Sequence, residues 1–348
     1  MKTFLYCQSH VGIMGTTLMR NGKLTDAGRA ELKKGRRSKS KKSNDSAVRY
    51  LRYELNNSSS ANTETSHYVD LARDLSVVNR RLMRQGRIYH IKKITVVSSN
   101  TPNMPDAVEA GRISASVIPL SWVSRQAWKR GFQTWQKMNS EAMHANLKSV
   151  QGTWADFKVY MHSGQTTHTL LTPKDNGGNS YSVGEWTYSK YVSPDGTTGA
   201  DEFGAWMLGA HSGSAGAWSN IGLIKSYAES RATVQDGSPF VPSTLSDDPL
   251  VNVFDYGTTV DEVLDNVESF NDQAPYNIYT YPGEDGNGPQ PMVVQDTTLV
   301  DGRAIMSGFE AMLGLVEFEV KSPVVNDTYS VLVELASGPY RGIKADVI

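Results

Sequence analysis

One cysteine, Cys7, stands in 348 residues. A lone thiol closes no internal disulfide and builds no thiolate metal cluster, so stability must come from packing and the expected compartment is reducing. Long hydrophobic runs are also missing. No apolar stretch reaches the roughly 18–20 residues that a membrane helix needs, and no membrane partner is expected. The apolar start of the chain is interrupted by Gln8, Ser9 and His10, which argues against a secretory signal. The Asn-x-Ser/Thr triplets at Asn57 and Asn326 are accordingly read as unmodified.

Catalytic signatures are equally scarce. The sequence has no phosphate-binding G-x-x-x-x-G-K-[ST], no G-x-G-x-x-G after a strand and no H-E-x-x-H. His211 lies beside Ser212 and Ser214 in Gly209–Gly216, but the stretch does not fit G-x-S-x-G and reads as a surface loop. His162 and His168 flank a polar turn and could share a metal with a carboxylate, yet among 7 histidines a chance pair is the simpler reading. Asp247, Asp248 and Asp255 offer hard oxygens for Ca²⁺ without the calcium-loop pattern, and read as solvated turn residues. Loop-borne Trp186, Trp206 and Trp218 raise a carbohydrate-active β-sandwich, but no acid/base carboxylate pair accompanies them. The expectation is a protein without catalytic residues, metal or cofactor.

What is there is a separation of charge. The formal net charge is −1, but residues 1–100 hold 20 Lys+Arg against 7 Asp+Glu, and the remainder holds 15 against 29. Lys33, Lys34, Arg36, Arg37, Lys39, Lys41 and Lys42 share one window without an acid, spaced by Gly35, Ser38 and Ser40. No helical or strand period buries anything there, so residues 1–46 read as a basic arm. Arg80, Arg81, Arg84, Arg87, Lys92 and Lys93 form a second cluster, inside sequence that looks folded. Two basic clusters in series suit phosphate neutralisation and counterion release. The run could also serve nuclear import. No zinc finger, RNP1-like motif or heptad-linked basic helix is present, so sequence-independent binding is expected.

The remainder, residues 47–348, reads as mainly β. Strands are expected at 47–55, 88–97, 157–161, 181–192, 205–208, 250–254, 292–294, 314–320 and 329–335. Leu71, Leu75, Val78 and Leu82 follow a helical period, with Ser66 as N-cap and Gly86 at the end. A second helix is expected over 124–146, with Trp128, Phe132, Trp135 and Ala142 facing a core rather than stacking on bases. A third fits Val260, Val263, Leu264, Val267 and Phe270 behind Thr258. Short strands, Gly/Pro-rich loops and few helices point to a jelly-roll β-sandwich, with room for a small projection within 170–300.

YVDLARDLSVVNRRLMRQGRIYHIKKITVV (68–97), SVIPLSWVSRQAWKRGFQTWQKMN (116–139), WADFKVYM (154–161), GFEAMLGLVEFEV (308–320) and VELASGPYRGI (333–343) carry a family resemblance. These blocks resemble the capsid proteins of small circular, replication-protein-encoding single-stranded DNA viruses. The resemblance implies a viral jelly-roll coat that assembles with copies of itself into an icosahedral shell. Its basic arms would face inward on single-stranded DNA, and it would reside in the virion after passage through the host nucleus. One departure is that in many such coats the arm begins at residue 1, whereas about 30 less basic residues precede it here. The competing expectation is a non-viral nucleic-acid-binding β-domain acting as a monomer or small oligomer.

Overall fold

The computed structural model describes residues 47–98, 111–144, 152–192, 202–214, 217–230, 291–299 and 302–348, together with 19–20 and 23–24. The chain divides into two units, 1–46 and 47–348. In the first, β1 (Met19–Arg20) pairs antiparallel with β2 (Lys23–Leu24).

The second unit is built on eight strands in two antiparallel sheets, four to each, with one short strand added to the first. The strands are β3 (Tyr50–Asn56), β4 (Thr65–Asp70), β5 (Arg87–Ser98), β6 (Arg112–Val117), β11 (Met292–Thr298), β12 (Arg303–Met312), β13 (Leu315–Lys321) and β14 (Thr328–Leu335). One sheet runs β12-β5-β14-β3 and the other β11-β6-β13-β4. Each step along the chain crosses from one sheet to the other, except β6 to β11, which are neighbours in the same sheet.

Alternation in the sequence explains which face is inside. In β3, Leu51, Tyr53 and Leu55 are buried while Tyr50 and Asn56 are exposed; in β14, Tyr329, Val331, Val333 and Leu335 point inward. They meet Val69, Ile113, Ala115, Val117, Val316, Phe318 and Val320 of the facing sheet in one core. A slip interrupts the alternation in β5 and β12. Lys92 and Lys93 are both exposed, as are Ser307 and Gly308 across the ladder, while Ile91 and Ile94 stay buried. A Cβ on Gly308 would come within 2.5 Å of the Ile91 carbonyl oxygen, so glycine is what lets the two strands pass here.

Between β12 and β13 the chain changes sheets through Leu313 and Gly314, both at positive φ (62° and 71°). That left-handed region suits glycine and strains leucine. Leu313 is held there by full burial in a second core.

The long β6–β11 connection supplies most of that second core. It contains α2 (Trp122–His144), α3 (Ser163–Thr167), α4 (Leu223–Glu229) and a small sheet of β7 (Tyr191–Val192), β8 (Glu202–Trp206), β9 (Ser212–Ser214) and β10 (Ala217–Gly222), ordered β7-β8-β10-β9. Helix α1 (Leu71–Asn79) follows β4 directly, and after β14 come the short strands β15 (Ser337–Gly338), β16 (Gly342–Ile343) and β17 (Ala345–Val347), the last pairing with β5. Among the described residues no helix is long and apolar enough to cross a membrane.

Several boundaries differ from the sequence expectation. Ser66 does not cap a helix: Thr65–Asp70 pairs with β13, and Asp70 caps α1 by accepting from the Ala72 and Arg73 amides at 3.0 and 3.1 Å. The helix stops at Arg80 in the left-handed conformation, short of Gly86, which instead lies under the Trp128 ring. Residues 157–161 are extended, but make only a single bridge, Tyr160 to Trp206. The helix expected at 258–270 and the strand at 250–254 lie outside the described residues.

Candidate nucleic-acid interface

The arm residues Lys33, Lys34, Arg36, Arg37, Lys39, Lys41 and Lys42 lie outside the described residues. The second cluster is described, and it does not form one patch. Lys92 and Lys93 stand on the outer face of the β12-β5-β14-β3 sheet, where Lys92 Nζ pairs with Glu334 at 2.7 Å. Arg87 lies over the Tyr340 ring at 3.6 Å and donates to the Ala345 carbonyl. Arg84 pairs with Asp156 at 3.0 Å. Arg80 and Arg81, at the end of α1, line a cavity. Six sequence neighbours therefore divide between a sheet face, an end of the sandwich and a cavity wall, because strand and turn geometry separates residues that a linear window groups.

The outer sheet face mixes cations with apolar groups. By register Ile305, Thr95, Leu332 and Arg52 form one row and Arg303, Val97, Ser330 and Glu54 the next. Tyr50, Val97, Ile305 and Leu332 are exposed there. The outer face of the other sheet is partly covered: Leu171 donates its amide to the Tyr68 carbonyl, and the His162 ring packs edge-on against Tyr68.

The cavity, about 660 Å³, is enclosed by α1, the turn after it, Trp135 of α2, and residues 152–158 and 182–189. One buried acid organises its floor. Asp70 Oδ2 accepts from Trp186 Nε1 at 3.0 Å, Gln85 Nε2 at 3.2 Å and the Tyr188 hydroxyl at 3.3 Å. Gln85 in turn accepts from the Val159 amide at 2.7 Å and donates its own amide to Asp156. These bonds fix the 156–159 and 186–188 segments against the start of α1. Burial raises the Asp70 carboxyl above its usual range, although its donors and Arg73 oppose the shift. Lys158 is only 7% exposed, and its ammonium sits 4.7 Å from the centre of the Trp186 ring. Trp154, at the cavity wall, is 67% exposed. Trp135 stacks against Phe132 and packs on Phe157, and it also lines the cavity. The aromatic stripe of α2 thus divides: Trp128 is core, whereas Trp135 serves the core and the cavity together.

The candidate histidines make structural contacts. His162 Nδ1 accepts from the Gly164 amide, leaving Nε2 to donate to Glu317 at 3.2 Å; Tyr68 donates to the same carboxylate at 2.8 Å. Burial alone would raise the Glu317 carboxyl, but these donors hold it below its usual range. His168 bonds the Gly164 carbonyl and does not join His162 on a metal site; among the described residues no metal-ligand cluster exists. His211 bonds Glu229 at 2.9 Å and accepts from the Gly222 amide. Asp247, Asp248 and Asp255 lie outside the described residues.

Alternation in the strand expected at 157–161 would turn Lys158 to solvent, and nothing in the sequence announced the cavity. Alternation was the only signal available, and the 182–189 segment that covers Lys158 arrives from further along the chain. Comparison with protein-family models, with curated proteins and with solved structures found no match.

Proposed function

We propose that the chain is a coat protein that assembles with copies of itself into a closed icosahedral shell and packages nucleic acid, single-stranded DNA, through the basic segment 33–42. The observation that carries this reading is the strand order. Two four-stranded sheets, β12-β5-β14-β3 and β11-β6-β13-β4, with consecutive strands passing between them, support a jelly roll of eight strands. Jelly rolls host many functions, so the fold does not decide the role alone. The charge separation supplies the second support, because a basic arm on an acidic body suits an enclosed polyanion. The third is the outer face bearing Tyr50, Val97, Ile305 and Leu332, since exposed apolar clusters mark association surfaces.

Negative-stain microscopy and sizing chromatography of the purified full-length protein test the reading. Closed particles eluting in the megadalton range are expected. Elution as a monomer or small oligomer that still binds nucleic acid would overturn the shell and favour a nucleic-acid-binding β-domain.

A further inference from the structure

The cavity beside α1 has a use that a shell and an arm do not explain. Lys158 is more than nine-tenths buried, lines the cavity, and forms no ion pair among the described residues. Its stem is covered along the Trp186 face, while its ammonium keeps access to the cavity that Lys158 lines. The Trp186 face attracts the ammonium but brings no negative charge. The acids nearby are already engaged: Asp156 by Arg84 and the Gln85 amide, and Asp74 by Arg73 and Tyr53. Glu185, also on the wall, is exposed and pairs with none of these cations. Arg80 lines the same wall. An anion supplied from outside would meet Lys158 and Arg80 at this wall.

The indoles narrow the class. Trp154 presents an exposed ring at the wall, and Trp135 lines the cavity beside it. Flat aromatic faces accept any base by stacking, while cations hold the backbone. A neutral sugar could stack on an indole but would make no use of the charge on Lys158 and Arg80. A free inorganic anion would leave the indoles unused. A base carrying a phosphate answers both, and a cavity of about 660 Å³ is within the range of small-ligand sites.

We infer that this cavity binds one nucleotide of a single-stranded nucleic acid, its phosphate toward Lys158 and Arg80 and its base against Trp154. The inference deepens the nucleic-acid reading and rests on it. Duplexes are excluded, because a paired and stacked base cannot enter a cavity without leaving the helix. Base identity matters little, since stacking and charge carry the contact.

The test uses the full chain with Lys33, Lys34, Arg36, Arg37, Lys39, Lys41 and Lys42 changed to Ala, so that the arm does not mask the cavity. Fluorescence anisotropy follows a short labelled oligothymidylate, with thymidine 5′-monophosphate, a hairpin duplex and heparin as competitors. Trp154→Ala, an exposed change that spares the fold, should weaken oligothymidylate binding about tenfold. Lys158→Met should weaken it and flatten its salt dependence, while Lys137→Ala leaves it unchanged. Parental affinity in Trp154→Ala and Lys158→Met would overturn the proposal. So would a mononucleotide competing as well as the strand, or duplex or heparin competing better. Particle formation, scored on the same variants by microscopy, separates the two readings. Particles with an unchanged oligothymidylate affinity sink the cavity alone, whereas cavity-dependent binding without particles sinks the shell alone.

Discussion

Asp74 has no exposed surface and is held by the Tyr53 hydroxyl at 2.6 Å and Arg73 Nε at 2.8 Å. Burial pushes its carboxyl up to about 7, against the pull of both donors. In the unfolded chain the same group titrates near about 4. Between those values the folded state binds more protons, so stability falls as pH rises from about 4 to about 7. Tyr53→Phe removes a donor that the ionised form needs most, and raises the folded value further. It should cost about 1–3 kcal/mol at pH 8 and clearly less at pH 5, read by urea denaturation. An equal cost at both pH values would mean that Asp74 does not change its protonation state between them. Little of this was legible in the sequence: Asp70, Arg73 and Asp74 look there like ordinary helix-surface charges. Their burial depends on Tyr53, Gln85, Trp186 and Tyr188, which arrive from three other parts of the chain.

Strands with clean alternation were readable: Ile88–Val97, Gly314–Val320 and Tyr329–Leu335 match β5, β13 and β14 within two residues. Among the eight strands of the two large sheets, three were missed for distinct physical reasons. β4 carries Ser66, His67 and Asp70, residues that also start helices, and its buried Tyr68 needs Glu317 as partner. β6 is built of small residues, Ser114, Ala115 and Ser116, whose burial on both faces comes from neighbours rather than from hydrophobicity. β12 breaks its period at Ser307 and Gly308, where it slips in step with β5. Gly308→Ala should therefore destabilise by about 1–3 kcal/mol, because its Cβ would meet the backbone carbonyls of Ile91 and Lys92. Gly184→Ala, with nothing near its added carbon, should stay within about 0.5 kcal/mol. Thermal melts of the two variants check the contrast; similar shifts would mean that β12 yields at this point.

For the molecule as a whole, charge separation along the chain should become a measurable binding property. Replacing the seven arm cations by Ala should weaken binding to every sequence. Each phosphate that the arm no longer neutralises should reduce the slope of log affinity against log salt by about 0.7–0.9. A slope matching the parent would remove the arm from packaging and return the basic run to an import role. Topology adds a consequence of another kind. Asn56 pairs with Thr328 across 272 residues, and the last two long strands are inner strands: β14 lies between β5 and β3, and β13 between β6 and β4. A ribosome thus releases nearly the whole chain before either sheet can be completed. A product that stops before Leu315 holds β3 and β4 as strands without neighbours, beside the separate pairs β5–β12 and β6–β11. Truncated translation products are thereby kept from completing the sandwich by connectivity itself, with no proofreading factor needed to recognise them.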